Sequence, residues 1–444
     1  MELNIDLHSH SGASGGVGEI SLRQVFQTMG FKGIDIYGTG DCLYPEWLET
    51  LEKNFQEQNG ILTSEEYPKK GLVLQTEVIF TMPYPQKPTR RKAWHNVLLF
   101  PHFKAAKQTI NLLDEFGVKN TIGRPFLTVN NIKELENFLF TLKEINQQIE
   151  VIPAHIFTPQ GVFGSKNPIN SLKDVYGTFT KYINAVETGL SADPKALMMI
   201  PELDHLSFIS SSDAHCGRLD RLGREYSTLE VKELSYPAII NALKTGSMVQ
   251  TYEFPMTEGR YFLTGHRERN NHPGWCCFSP QHTPPTRICP LCGKKLTIGV
   301  LQRVLDLAQT QKAGNRNWGE NYGPRKRKFK KIVPLSEVIA NSLNIKTTNS
   351  KSVINLYKKT IERTNTEANL WKLTNKNIQR ELEDIVPPQT IKSIKEVNKG
   401  NFSFSPPGYD GTYGSLQIGK TINFWNIKKI KKDPTQSQQE PLLS

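Results

Sequence analysis

Short apolar runs alternate with longer amphipathic stretches through roughly the first 255 residues. The runs are Glu2–Leu7, Gly33–Tyr37, Leu72–Thr76, Asn96–Phe100, Val151–Pro153 and Leu206–Ser210. Between them, Ser21–Met29, Asn131–Gln147 and Tyr236–Lys244 carry apolar residues at helical spacing. Runs this short read as buried strands and the stretches between them as helices. The alternation predicts an α/β domain over 1–255 with a largely parallel sheet or barrel, whose functional groups collect at the C-terminal ends of the strands.

The pattern then changes. Residues 256–311 are rich in His, Pro, Cys and Gly and poor in periodic runs, as in a small metal-stapled module. Residues 312–331 read as a polar, basic linker ending in Arg325, Lys326, Arg327, Lys328, Phe329, Lys330 and Lys331. Residues 332–427 read as a domain of short amphipathic helices with Lys and Arg on their polar faces. From 428 to 444 Lys, Pro, Gln and Ser dominate, which predicts a disordered tail.

A length of 444 residues allows two to three domains, and 37% hydrophobic residues suffice for a core. No run approaches the ~20 apolar residues of a membrane span, and Met1–Asp6 lacks the basic and apolar regions of a signal peptide. A soluble, cytoplasmic protein is expected. The charge of +12 is uneven: residues 301–444 hold 25 Lys and Arg against 12 Asp and Glu, while residues 1–300 are almost neutral. Clustered cations attract phosphates, so DNA is the expected partner and the protein is expected to follow it to the nucleoid. Four of the six cysteines fall between Cys276 and Cys292. In a cytosolic chain that crowding favours metal over disulfides.

Candidate ligands sit at the strand ends. Asp6, His8 and His10 alternate along the first strand and so share a face. Asp41, Glu77, His95, His155, Asp213 and His215 each follow or open a later apolar run. Imidazoles mixed with carboxylates suit zinc, manganese or iron better than calcium. A carboxylate such as Glu77 can bridge two ions, and two ions about 4 Å apart can clamp an attacking water and a leaving oxygen. The bland reading makes these groups braces for strand ends; their recurrence on successive strand ends favours a shared site.

The strings DLHSH, GTGD, HNVLLF, PAH and SSSDAH resemble the PHP (polymerase and histidinol phosphatase) superfamily. That resemblance implies a distorted (β/α)7 barrel holding two to three divalent metals, whether zinc, manganese or magnesium. It implies one ion on His8, His10, Glu77 and Asp213, a second on Glu77, His95 and His155, and a third on His215 with Asp41. This chain has Asp41-Cys42 where the superfamily usually has Asp-His, and Ser11–Gly18 where a further His is usual. A narrower resemblance, to endonuclease Q, rests on GTGDCLYP, PAHIFTP, ETGLSAD and RLGREY and covers residues 1 to about 345 well. It implies a DNA repair endonuclease that hydrolyses the phosphodiester 5′ to uracil, hypoxanthine, xanthine or an abasic site in damaged DNA, double- or single-stranded. Asp6, Glu77, Asp213 and His215 are then the candidate catalytic groups.

Cys289-Pro-Leu-Cys292-Gly is a knuckle that points two thiolates at one structural zinc. His266, His272, Cys276, Cys277 and His282 are available for the other half. Cys277 is the first choice, with Cys276 or His272 as the fourth ligand; adjacent cysteines rarely share one tetrahedral ion. Arg218, Arg221, Arg224, Arg325, Lys326, Arg327, Lys328, Lys330 and Lys331 are candidate DNA contacts. For the first three, an internal ion pair with Glu225 or Glu230 is the competing reading. Asp193 reads as a helix cap or a substrate contact. No GxxxxGK[ST] loop is present, so ATP-driven activity is not expected. Two further functions fit parts of the pattern: a phosphatase of a small phosphomonoester, and a non-catalytic DNA-binding scaffold.

Overall fold

The computed structural model describes residues 1–432 except 16, 19, 85, 86, 121, 167, 168, 270, 271 and 273. The chain opens with β1 (Glu2–Asp6), α1 (Leu22–Lys32), β2 (Ile36–Gly38), α2 (Pro45–Asn54), β3 (Gln56–Gln58) and β4 (Ile61–Thr63). Two 14-residue strands follow, β5 (Gly71–Tyr84) and β6 (Lys87–Phe100). Next come α3 (Phe103–Glu115), β7 (Phe126–Thr128), α4 (Ile132–Ile145), β8 (Glu150–Pro153), α5 (Lys173–Tyr176) and β9 (Ala185–Glu187). The α/β part closes with α6 (Pro194–Leu197), β10 (Ser207–Ile209), β11 (Tyr226–Glu230), α7 (Tyr236–Thr245) and β12 (Met248–Glu253). The expected helices start where the chain offers caps: the Asn131 side chain accepts from Glu134 N at 3.1 Å, and Ser235 Oγ accepts from Ala238 N at 3.2 Å.

The fold is α/β as expected, but the large sheet is mixed. Parallel pairs β1–β2, β2–β5 and β5–β7 sit beside antiparallel pairs β1–β11, β11–β12, β5–β6 and β6–β8. The main reason is the long β5–β6 hairpin, which joins two runs that the sequence suggests are separate strands. Strand alternation sends Leu3, Ile5 and Leu7 into one apolar cluster with Ile36, Val73, Val97, Ile152, Ala185, Ile209 and Leu229, closed by Ile239, Ile240 and Leu243 of α7. Convergence of single residues from so many strands is the arrangement of a barrel interior.

Beyond β12 the chain forms β13 (Thr264–His266), β14 (Gly274–Phe278), α8 (Val300–Thr310) and β15 (Phe329–Lys331). Five helices follow, α9 (Leu335–Ser342), α10 (Lys351–Thr364), α11 (Glu367–Lys372), α12 (Asn375–Leu382) and α13 (Pro388–Asn398). The described chain finishes with β16 (Phe402–Phe404), β17 (Leu416–Ile418) and β18 (Lys428–Lys432). No helix among the described residues is long and apolar enough to cross a membrane.

Two expectations need correction. The end of the basic linker is not free: β15 extends the barrel sheet by pairing parallel to β12. The tail is not unstructured from its first residue, because β18 pairs antiparallel with β14 and completes the sheet of the cysteine module. Both stretches read as polar, yet backbone pairing does not require apolar side chains when the strand lies at a sheet edge. Residues 433–444 of the expected tail lie outside the described residues.

Candidate active site and metal centres

The loops that follow β2, β8 and β10 place Asp41, His155 and Asp213 in the left-handed region, with φ of +46°, +28° and +46°. Such backbone costs about 1–3 kcal/mol per residue and persists where the surroundings impose it, commonly at functional sites. The crowding is visible at Gly189, after β9: a Cβ there would fall 2.2 Å from Cβ of His155. Only glycine lets that loop pass behind the histidine.

Glu77 lies at the centre and is buried. Its carboxylate stands 2.5 Å from His95 Nδ1, 3.2 Å from His155 Nε2, 3.6 Å from His8 Nε2 and 3.7 Å from His10 Nε2. Asp213 Oδ1 lies 3.2 Å from His10 Nε2 and 3.6 Å from His8 Nε2. The β5–β6 hairpin explains part of this meeting. Its register sets His95 opposite Ile79, two residues beyond Glu77 on the same strand.

Outer partners fix how the rings face. His8 Nδ1 donates to Glu187 Oε2 at 2.9 Å, and the same oxygen accepts the His155 backbone N–H at 2.9 Å. His10 Nδ1 lies 3.1 Å from Ser14 Oγ and 3.4 Å from Asp41 Oδ1, while His155 Nδ1 lies 2.6 Å from Thr158 Oγ1. The Nε2 atoms of all three rings are thereby turned inward. His8 Nε2, His10 Nε2, Glu77 Oε2 and Asp213 Oδ1 are buried and make no hydrogen bond. Buried polar atoms without a hydrogen bond are expensive, and inward Nε2 atoms braced through Nδ1 are how metal-binding histidines are held. Two ligand groups result, His8 with His10 and Asp213, and His8 with Glu77 and His155. The donor set fits divalent cations of the zinc or manganese type.

The electrostatics agree. Burial disfavours the charged ring of His8, but the carboxylates of Glu187, Asp213 and Glu77 outweigh it and raise its pKa to about 10. His10 rises to about 9 against burial, through Asp213, Asp41 and Glu77. Burial pushes the Asp213 carboxylate up, yet His8, His10 and His155 hold it far below the usual range. The pocket therefore selects positive charge, whether carried by protons or by cations.

Three candidates that the sequence suggests behave otherwise. Asp6 is not turned to the ligands: its oxygens accept Ser212 N at 2.8 Å, Ser212 Oγ at 2.6 Å and Gly223 N at 3.0 Å, bracing the loop that carries Asp213. Burial raises its pKa to about 6. Asp41 accepts Ser11 N and Ser11 Oγ at 2.7 and 2.6 Å and orients His10, and it joins neither ligand group. His215 lies at the rim, its side chain 48% exposed and its ring 4.4 Å from that of His10.

A cleft of about 910 Å³ opens over the cluster, lined by His10, Glu77, His95, His155, Asp213 and His215 together with Arg124, Arg218, Arg221, Arg224 and Arg260. Arg218 pairs with Asp220 at 2.8 and 3.0 Å, rather than with Glu225 or Glu230, and Arg224 Nε donates to Ser212 O at 3.0 Å. Arg124, 3.6 Å from Glu77, and Arg260 carry no motif that would have marked them.

The run Arg325–Lys331 does not offer a row of free cations. Arg325 donates to Leu243 O and Lys244 O, and Arg327 to Leu203 O, Asp204 O and Leu206 O. Lys330 reaches Asn398 Oδ1 at 2.7 Å, and Lys331 pairs with Asp193 at 3.0 Å. Lys326 and Lys328 remain exposed. Asp193 is the cap of α6, accepting Ala196 N at 3.2 Å.

In the cysteine module His266, His272, Cys289 and Cys292 converge. His272 Nε2 is 3.3 Å from Cys289 Sγ, and His266 Nδ1 is 3.4 Å from Cys292 Sγ. A two-His, two-Cys set fits a closed structural zinc. Cys277 is excluded by strand alternation: β14 turns Cys276 toward the face of His266 and Cys277 into an apolar cluster with Met256, Phe262 and Leu301. Cys276 Sγ stands beside the site, 3.6 Å from Cys289 Sγ. Burial opposes the Cys289 thiolate, but hydrogen bonds from His272, the Leu291 and Cys292 backbone and His266 lower its pKa to about 6.

No family model matches the chain. Among curated proteins it is similar to an uncharacterized protein of Methanocaldococcus jannaschii, 30% identical over 270 residues, 59% of this chain. The match spans only 32% of that relative's length. It is also similar to uncharacterized YqxK of Bacillus subtilis, 27% identical over 322 residues, covering 68% of this chain and 76% of YqxK. Among solved structures it is similar to the lesion-specific endonuclease PfuEndoQ from Pyrococcus furiosus: TM-score 0.77, 26% identity, 94% of this chain and 96% of that one. The chain thus shares the fold of endonuclease Q over nearly its whole length. A second endonuclease Q structure, in complex with a 27-mer duplex bearing an abasic lesion at the active site, matches with TM-score 0.76 and 25% identity over 96% of this chain and 99% of that one. The likeness to endonuclease Q thus runs through the barrel, the cysteine module and the C-terminal helices together.

Proposed function

We propose that the protein is a DNA repair endonuclease that cuts the phosphodiester 5′ to deaminated bases (uracil, hypoxanthine, xanthine) and to abasic sites. The observation that carries the reading is one cleft in which His10, Glu77 and Asp213, each with a buried ligand atom that makes no hydrogen bond, share a wall with five arginines. A small phosphomonoester has no use for so long a basic wall, nor for a zinc module and a C-terminal third with a large excess of Lys and Arg. The endonuclease Q likeness over nearly the whole chain supports the same choice.

His8, His10 and Asp213 would hold one cation, and Glu77 and His155, with His95 against the Glu77 carboxylate, would hold a second. Bound divalent cations supply water activation and charge for the departing 3′-oxygen. The chain's own groups do the rest. Glu187 and Asp41 keep the inward nitrogens of His8 and His10 in place. Arg124, Arg218, Arg221, Arg224 and Arg260 draw the phosphate backbone in and orient it. A nucleotide leaves the stack most easily where its base is mispaired or missing, which supplies part of the selectivity.

A nicking assay with one uracil, hypoxanthine or abasic site per duplex tests this. The expected product is a single cut on the 5′ side of each lesion, with undamaged duplex left intact. Turnover of a chromogenic phosphate ester without any DNA cleavage would point to the phosphatase instead.

A further inference from the structure

The cleft wall also carries two tyrosines, Tyr261 and Tyr413, that the chemistry above does not use. Tyr413 comes from the segment between β16 and β17, far in sequence from the ligand strands. It is 57% exposed, an unusual place for a large ring. The Arg260 guanidinium lies 5.3 Å from the Tyr413 ring centre and 5.9 Å from that of Tyr261, within cation–π range of both.

The exposed ring is mounted on a fixed loop. Gly408 N donates to Thr257 O at 2.9 Å, Gly411 N to Arg260 O at 2.8 Å and Gly414 N to Glu258 O at 3.0 Å. A Cβ on Gly408 would fall 2.1 Å from Gly259 O, so the two segments touch only because a glycine stands there. Asp410 is buried and accepts from Arg267 N at 2.8 Å and Thr297 Oγ1 at 2.6 Å, tying the loop to the cysteine module. A ring that is exposed, preorganised and on the wall of the same cleft as the metal-facing groups is built to meet a flat partner from outside the protein. Every nucleobase has such a face, and a base taken from the duplex loses stacking that an aromatic side chain can replace.

Resting on the endonuclease reading, we propose that Tyr413 is the stacking surface for the nucleobase extruded into the cleft, with Arg260 fixing the ring. The test measures kcat/KM for full-length, metal-loaded wild type, Tyr413→Ala and Tyr413→Trp on two duplexes identical except for one uracil or one abasic site. An abasic site has no base to stack. Tyr413→Ala is expected to lower the uracil-to-abasic ratio roughly 10- to 100-fold, and Tyr413→Trp to restore it. Thermal melts of the variants check that the exposed substitution leaves folding intact. An unchanged ratio, or an equal loss on both duplexes, overturns the assignment of Tyr413 and leaves the endonuclease reading standing. Wild type that nicks neither duplex overturns both.

Discussion

Replacing Glu77 with alanine is expected to slow nicking of a uracil-containing duplex by roughly 10³-fold or more, while DNA binding survives. Loss of one preorganised charge-stabilising group commonly costs about 10²–10³-fold in rate, and Glu77 is more than one group. It reaches His8, His10, His95 and His155 within 3.7 Å, so its removal disturbs both ligand sets at once. Its carboxylate is buried, which alone would raise its pKa, and yet His95 and the neighbouring rings hold it well below the usual value. It is therefore charged at every pH of interest, and alanine deletes that charge among inward-facing imidazoles. Of the five arginines proposed to grip the backbone, Arg124 lies 3.6 Å from Glu77, but Arg218, Arg221, Arg224 and Arg260 have no contact with it, so a mobility-shift assay should still report complex formation. Nicking within tenfold of wild type would place the chemistry elsewhere.

The second large effect concerns how the C-terminal helices stay on the barrel. Lys32, at the end of α1, and Glu367, at the start of α11, are both buried and pair at 2.9 Å. The same carboxylate accepts Leu335 N at 2.9 Å and Tyr357 OH at 2.8 Å, joining α9, α10 and α11 to the barrel through one group. Breaking a buried pair by removing one partner leaves an uncompensated charge and costs about 3–5 kcal/mol. Lys32→Met should accordingly shift the denaturant midpoint of the C-terminal transition sharply downward and make the helices sensitive to protease. The double variant with Glu367→Gln should recover part of the loss, because a charge is no longer stranded. A single variant that unfolds at the wild-type midpoint would show that other contacts hold the domains together.

The site was legible where local rules suffice. His8 and His10 alternate at a strand end, and each later ligand follows or opens an apolar run, so a shared rim could be inferred from spacing alone. What the spacing hid was division of labour. Asp6 and Asp41 have the residue type of ligands, but Ser212, Gly223 and Ser11 claim their oxygens, and those partners are set by loops that only the fold brings close. Cys277 and Cys276 differ only in the face of β14 on which they fall, which depends on the register with β13. The basic run Arg325–Lys331 shows the same limit. A guanidinium that finds backbone carbonyls becomes part of the structure, and nothing in the run of charges says which cations will do so. Arg124 and Tyr413 carried no local signal because their roles arise from contacts distant in sequence, and Glu187, although it opens the ETGLSAD string, gave no sign of its contact with His8.

Cations held by these side chains must drive the hydrolysis of damaged DNA if the protein works as proposed. The direct measurement is nicking of a duplex with a single uracil before chelation, after exhaustive chelation, and after manganese or zinc is returned. The prediction is a cut on the 5′ side of uracil that disappears on chelation and returns with the metal, in wild type but not in Glu77→Ala. Cleavage that persists unchanged in excess chelator, or a uracil duplex left whole under every condition, contradicts it.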